Sequence, residues 1–327
     1  FYFQTMVNTF PEKMDKTDEL VVDSSNEIAE NFDYEYDSEW ELLVDLKEGS
    51  GIGDLDKIMK KYDLFQAERA FQMNDKDVTV LDDYYVINIP DRFQKDLPKI
   101  IRELDKNKHV DYVEGNETFK VSPDENTTRR LPKINQKYGI NDPALTNLWG
   151  FEAMEINKLY NYLNTNKITP KKKARIAILD TGVDNKHEDL EARFFNTKDA
   201  YNVDVVGHGT HCAGIAAAVT NNAIGVASFS PTNEFVEVTS IKVLNDYGGG
   251  TQRTVINGIL EAADSGADVL SLSLGGLSND ARQRAYRKAV QYANDKGAIV
   301  VVAAGNSNRN AKDFAPANTP GVITVSA

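Results

Sequence analysis

The sequence predicts an α/β protein in two parts: an α+β module whose elements run βαββαβ, then a parallel sheet with helices on both faces. Three observations carry this expectation. Residues 40–114 switch between strand-like and helix-like periodicity in that order. Five short runs between Arg175 and Ser326 are apolar along nearly their whole length, as strands buried on both faces are. Helical stretches separate those runs, which suits parallel pairing.

The elements follow in chain order. Phe1 to Met6 lacks the basic-then-apolar order of a secretory signal and resembles the remnant of an engineered cleavage tag. Residues 7–38 are rich in Asp and Glu, with Lys13 and Lys16 as the only counter-charges, and read as a disordered acidic leader, so 1–38 is tag remnant and leader together. The first domain, 39–122, begins with the strand Trp40–Leu46, and Leu55, Ile58, Met59 and Tyr62 follow at helical spacing. Strands are expected from Phe65 to Met73 and from Tyr84 to Ile89. Phe93, Leu97, Ile100, Ile101 and Leu104 repeat every turn of a helix, and Val110–Glu114 is strand again. This is a ferredoxin-like split βαβ unit of about 80 residues. A linker is expected over 123–141, where Pro123, Pro132 and the pair Arg129-Arg130 stand among polar residues.

The second domain, 142–327, carries the runs Arg175–Leu179, Val236–Leu244, Val269–Leu274, Ile299–Ala303 and Val322–Ser326, with helices expected at 208–219, 251–266 and 279–296. In open sheets of this kind ligands bind beyond the carboxyl ends of the strands. Composition narrows the possible partners. With 41% hydrophobic and 27% charged residues and a net charge of -13, the chain is an acidic globular protein that nucleic acid or an anionic membrane surface would repel. No apolar run approaches the roughly 18 residues of a membrane span. Cys212 is the single cysteine, which excludes an internal disulfide.

Three polar residues fall on the rim where a site is expected. Asp180 ends its strand run, Asn306 follows Ile299–Ala303 after a Gly-containing turn, and His208 opens a helix between Gly207 and Gly209. Their types suit acyl transfer: His208 as base, Asp180 as the acid that orients it, and Asn306 as donor to the developing oxyanion. A helix N-terminus disfavours the imidazolium and a nearby carboxylate favours it, so the two effects are expected to hold His208 near the working pH. A metal site competes for the same residues, since His208 and His211 stand at i, i+3 beside Cys212. No third ligand appears at zinc-like spacing and one helical turn is expected to point Cys212 away from the His208 face, so His211 reads as structural and Cys212 as a small buried hydrophobe. His109 and His187 read as surface loop residues, with pH sensing as the alternative for His109.

Taken in order, Asp180-Thr181-Gly182, Gly207-His208-Gly209-Thr210-His211-Cys212-Ala213-Gly214 and Ala304-Gly305-Asn306 resemble the active-site signatures of the subtilase family over 142–327. The resemblance implies a subtilisin-like fold and a secreted or extracytoplasmic serine endopeptidase with an Asp/His/Ser triad, acting on polypeptides. No Gly-Thr-Ser-Met-like helix start occurs in the sequence, and Ser307, next to the oxyanion residue, is a poor substitute. The resemblance places the serine beyond Ala327, on a continuation of the chain or on a separate C-terminal fragment. Without it the remaining frame loses about 10⁶ in turnover, a figure measured on subtilisin itself; the 327-residue chain alone is expected to be inactive.

The resemblance further implies that 39–122, with Asp111-Tyr112-Val113-Glu114 near its end, is an inhibitory propeptide and intramolecular chaperone, making the protein a zymogen. Processing is then expected near Phe119 to Asp124, with Arg129-Arg130 as the alternative. Gly248-Gly249-Gly250 and Ser273-Leu274-Gly275-Gly276 match the two backbone segments between which subtilases hold an extended peptide. Asp189 with Thr220, Asn222, Ile224 and Val226 resembles a structural calcium site of hard oxygen ligands. Two other readings stand beside the protease: a non-catalytic pseudoprotease that binds peptides or partner proteins through the same cleft, and a metal-dependent hydrolase.

Overall fold

In the computed structural model, residues 40–64, 66–71, 81–121, 137–195, 198–232, 234–278 and 283–326 are described. The acidic leader, the tag-like start, the Arg129-Arg130 pair and most of the expected linker lie outside them.

Period-two alternation positions the first module. It comprises β1 (Trp40–Leu46), α1 (Asp56–Lys61), β2 (Ala67–Arg69), β3 (Tyr84–Ile89), α2 (Leu97–Asp105) and β4 (Val110–Gly115). The strands form an antiparallel sheet in the order β2-β3-β1-β4, the ferredoxin-like arrangement expected. Leu42, Val44 and Leu46 share a core with Ile58, Leu97, Ile100 and Leu104 of the two helices. Leu43, on the opposite face, joins Tyr84 and Val86 in a second apolar cluster that belongs to the larger domain. One face of the sheet therefore closes the module and the other fastens it to its neighbour.

Past β4 the chain departs from expectation. Thr118–Lys120, expected where domain passes into linker, form the strand β5. Two short helices that the sequence reading missed follow, α3 (Trp149–Ala153) and α4 (Ile156–Thr165). Phe151, Ile156 and Tyr160 bury into a separate small cluster with Ala227.

The larger domain then runs β6 (Ala174–Asp180), α5 (His208–Ala217), β7 (Val236–Lys242), β8 (Gly249–Thr251), α6 (Gln252–Asp264), β9 (Val269–Leu272), β10 (Gly276–Leu277), α7 (Arg284–Asp295), β11 (Ile299–Ala303), β12 (Phe314–Ala315) and β13 (Val322–Val325). Five strands form a parallel sheet in the order β13-β11-β9-β6-β7. Alternation within β6 shows how both faces are covered: Ala177 and Leu179 pack with Val255, Ile259 and Val290 of α6 and α7, whereas Ile178 packs with Ala213 and Ala217 of α5. The expected fold class is the one observed. Of the helix expected at 279–296, residues 279–282 lie outside the description. No helix among the described residues is long and apolar enough to cross a membrane.

The module's sheet lies on α6 and α7 and supplies what their first turns lack. Thr251 caps α6 through its side chain, which accepts from the Thr254 amide. The N-cap of α7, Gln283, makes no such bond, and the Ala285 amide of its first turn donates instead to Glu114 of β4 at 3.2 Å. Around this buried contact Arg253 Nε donates to the Ala70 carbonyl at 2.9 Å, the Arg253 amide to Asn116 Oδ1 at 2.8 Å, and Lys288 Nζ to Asp45 at 2.9 Å.

Candidate active site

Asp180 is the last residue of β6, and its partner across the β6–β7 pair is Lys242, the last of β7. Three loops then meet beyond the carboxyl ends of the strands. Gly182, at φ +109°, lies so close to the 201–203 loop that a Cβ would sit 2.2 Å from the Val203 carbonyl oxygen. A Cβ on Gly209 would fall 2.0 Å from the Gly182 oxygen, so only glycine lets the first turn of α5 reach the end of β6. At that junction His208 Nδ1 is 2.7 Å from Asp180 Oδ1, and both side chains are buried. The Thr181 amide donates to the same oxygen at 2.7 Å.

Burial works against charge on His208, but the Asp180 carboxylate and its hydrogen bond outweigh it and hold the imidazole above its usual range. The balance near working pH expected from sequence is therefore tipped toward the charged form by the short carboxylate contact. With Nδ1 engaged by Asp180, Nε2 is the nitrogen left to accept a proton. Cys212 Sγ lies 4.0 Å from Nδ1, so it faces His208 one helical turn away rather than pointing elsewhere as expected. Asp180, His208 and Cys212 are the one cluster among the described residues with metal-ligand spacing, yet a metal there would have to displace the Asp180–His208 bond. His211 is exposed and not part of it.

Asn306 follows β11, which lies two strands from β6 in the same parallel sheet. Its turn is on the same rim as Asp180, roughly 10 Å across by strand spacing, and both Asn306 and Ser307 are exposed. Among the described residues no serine hydroxyl is hydrogen-bonded to the His208 ring. His109 lies 3.2 Å from Ser50 Oγ, and His187 accepts from the Asp189 amide at 3.2 Å.

The predicted substrate strand Gly248–Gly250 is occupied. Strand β5 pairs antiparallel with β8, placing Thr118 opposite Thr251, Phe119 opposite Gly250 and Lys120 opposite Gly249. The Val121 amide extends the ladder to the Gly248 carbonyl at 2.8 Å. Phe119 and Val121 are buried while Lys120 between them is exposed, as alternation requires. Gly248, at φ +79°, admits this approach because a Cβ would stand 2.4 Å from the Val121 oxygen. The second predicted segment behaves differently. Leu274 is buried in the cluster that includes Phe119, but Gly276 pairs with Ala315 of β12, and a Cβ on Gly275 would stand 2.7 Å from the Ala315 oxygen. The docked strand is thus laddered on its β8 side, and Ser273 faces Cys212.

The residues expected to hold calcium enclose one loop. Asp189 accepts from Asn222 Nδ2 at 2.8 Å and from the Val226 amide at 2.9 Å. Thr220 Oγ1 donates to the Ser230 carbonyl at 2.7 Å. Among the described residues no backbone amide donates to the main-chain oxygens of Thr220, Ile224 and Val226, which leaves them available to a cation. Burial pushes the Asp189 carboxyl up to about 6, the mark of a charge short of compensation. These features fit a hard divalent ion held by Asp189 and loop carbonyls. The Asn222 oxygen, by contrast, accepts the Ile224 amide at 2.9 Å and is turned to its own loop. Asp142, missed in the sequence, contributes a second buried carboxylate that accepts the Asn221 amide at 2.8 Å. Arg193, buried to 1% exposure, lies beside both acids and donates to Ser228 Oγ at 3.1 Å.

Comparison with known proteins agrees with this geometry. Residues 171–327 match the model of the subtilase family. Thermitase of Thermoactinomyces vulgaris is 44% identical over 159 residues, covering 47% of this chain and 54% of that protein. Subtilisin DY of Bacillus licheniformis is 39% identical over 159 residues, covering 47% and 56%. The chain thus spans about half the length of these curated relatives. Two solved structures share the fold over nearly the whole chain. Fervidolysin of Fervidobacterium pennivorans, described as a keratinolytic enzyme related to subtilisin, superposes with a TM-score of 0.58 at 24% identity, over 88% of this chain and 43% of its own. The epidermin leader peptide processing serine protease of Staphylococcus aureus gives 0.58 at 20% identity, over 89% and 70%. With the Asp180–His208 pair at the carboxyl rim of a five-stranded parallel sheet, residues 171–327 are similar in sequence to the subtilase family.

Proposed function

We propose that the protein is the zymogen of a secreted serine endopeptidase, and that residues 39–122 are its propeptide, lying across the substrate cleft. The observation that carries this reading is β5: a strand of the same chain pairs with the Gly248–Gly250 edge and buries Phe119 and Val121 as a peptide substrate would. In this reading Asp180 holds the Nδ1 proton of His208, and Nε2 of the neutral ring takes the proton of a seryl hydroxyl as it attacks the scissile carbonyl. Asn306 donates to the resulting oxyanion. In this reading the serine is one that residues 1–327 do not supply, carried on a continuation of the chain or on a separate C-terminal fragment. Calcium, where bound, stiffens the 219–230 loop behind α5 through Asp189 and the carbonyls of Thr220, Ile224 and Val226.

A serine-directed fluorophosphonate probe tests the proposal on the full-length protein. Labelling is expected once the N-terminal module is removed, in a peptide outside residues 1–327, and is expected to vanish in His208→Ala. Absence of label in the processed wild type would favour a binding protein using the same cleft. Peptide hydrolysis that chelation abolishes and the probe leaves intact would favour a metal-dependent hydrolase.

A further inference from the structure

The first turn of α5 carries the imidazole yet begins at Gly207, a residue with no side chain to cap it. The donors of that turn are met from outside the helix. Asp204, three residues before the cap, accepts the Gly207 amide at 2.9 Å and the Thr181 hydroxyl at 2.7 Å through Oδ1. Through Oδ2 it accepts the Thr210 amide at 2.8 Å and the Thr210 hydroxyl at 2.7 Å. Three of these bonds tie Asp204 to the helix turn that follows it, and the Thr181 bond carries the same carboxylate across to the strand end. Thr181 adjoins Asp180, and its hydroxyl accepts the Gly209 amide at 3.0 Å while donating to Asp204. Thr210 Oγ1 in turn accepts the Asp184 amide at 2.9 Å, closing the ring on the far side of the Asp-Thr-Gly loop.

We infer that Asp204 is a positioning residue of the catalytic pair: its carboxylate fixes the helix turn bearing His208 against the strand end bearing Asp180. The argument is geometric. Gly182 and Gly209 remove the side chains that would otherwise keep these segments apart, so van der Waals contact alone leaves their relative slide undetermined. A carboxylate with four acceptor directions, each bonded to a different group on the facing segments, removes that freedom. Lys242 assists from the neighbouring strand, donating to the Thr181 carbonyl at 2.5 Å and to the Val203 carbonyl at 3.5 Å. Asp204 is the carboxylate that bonds both Thr181 and the first turn of α5.

The inference rests on the proposed serine-protease reading for its kinetic arm only. Asp204→Ala and Asp204→Asn are compared with wild type in the full-length protein, by kinetics on an extended peptide and by proton NMR of the His208 ring. In wild type a strongly downfield Nδ1 proton is expected, with the imidazole pKa above its usual range. Asp204→Ala should broaden or abolish that resonance, lower the pKa and reduce kcat about 10²-fold, the cost of a misplacement near 1 Å, with KM little changed. Asp204→Asn keeps one acceptor oxygen and should fall between; it also serves if the alanine variant does not fold. A folded variant that keeps the resonance, the pKa and kcat while losing only thermal stability would overturn the inference. Wild type lacking both turnover and probe labelling would instead sink the protease reading, and the resonance and pKa would still decide the role of Asp204.

Discussion

Glu114 offers a quantitative test of how the two domains are held together. Its side chain is 1% exposed and sits between the Ala285 amide and Gln252 Nε2, each at 3.2 Å. Burial pushes its carboxyl from 4.5 up to about 8; the two hydrogen bonds oppose the rise, and the negative charges of Glu117 and Asp45 add to it. A carboxyl whose pKa is higher in the docked state takes up a proton on docking. Docking is therefore strongest below pH 4.5, and this contribution is lost as pH climbs from 4.5 through about 8. At about 1.36 kcal/mol for each pH unit, the full effect is on the order of 5 kcal/mol. The structure also shows where the proton goes. Gln252 Oε1 is buried without a hydrogen-bond partner, and turning the amide over lets it accept from the protonated carboxyl. Glu114→Gln carries its own donor for that oxygen and an acceptor for Ala285. The variant should match wild type near pH 4.5 and exceed it above pH 8, with a smaller loss of protection between. Hydrogen exchange over residues 110–121, with denaturant unfolding at pH 4.5 to 9, reads both curves. Parallel curves, or a variant less stable than wild type at pH 8, would refute the reasoning.

Other expectations follow from single contacts. Gly248→Val forces a branched side chain into a left-handed backbone and against the Val121 oxygen; it should cost docking of β5 about 1–2 kcal/mol or more and speed amide exchange at Phe119 and Val121. Arg193→Met removes the cation beside Asp142 and Asp189 and should destabilise the fold by about 3–5 kcal/mol in denaturant unfolding, less when calcium is present. The Asp189 carboxyl, raised to about 6, makes the calcium-free fold lose stability as pH rises through 6 and makes calcium affinity fall as pH drops through the same range. Thermal unfolding with EGTA and with calcium, at pH 5 and pH 7.5, should therefore show a larger calcium effect at the higher pH.

The sequence was legible where a periodicity or a motif spans a whole element. Both faces of Trp40–Leu46 meet a core; the all-apolar run of β11 announced a strand but overstated its cover, since Val300 and Val302 are buried while Ile299 is 49% exposed. The Asp180–His208 pair was legible because glycines at 182, 207 and 209 leave a recognisable spacing around it. Strand β5 was not, since three residues carry no periodicity and their partner stands some 130 positions away in the chain. Strands β10 and β12, of two residues each, are silent for the same reason. Asp204 and Asp142 were passed over because a loop aspartate that bonds backbone amides looks, in sequence, like any turn former. The contact between Cys212 and His208 was misjudged from the helical wheel: positions four apart share a face.

The short stretch from Val110 to Val121 grips the larger domain at two separate places, once where Glu114 meets the start of α7 and again where β5 lies along β8. Two weak handholds on one backbone act as a single strong one, because letting go of either leaves the other to guide it back at high local concentration. Severing the chain downstream of Val121 therefore does not by itself empty the groove. The severed piece departs only when both holds open together, so a time lag between cutting and clearing is built into the order of the elements.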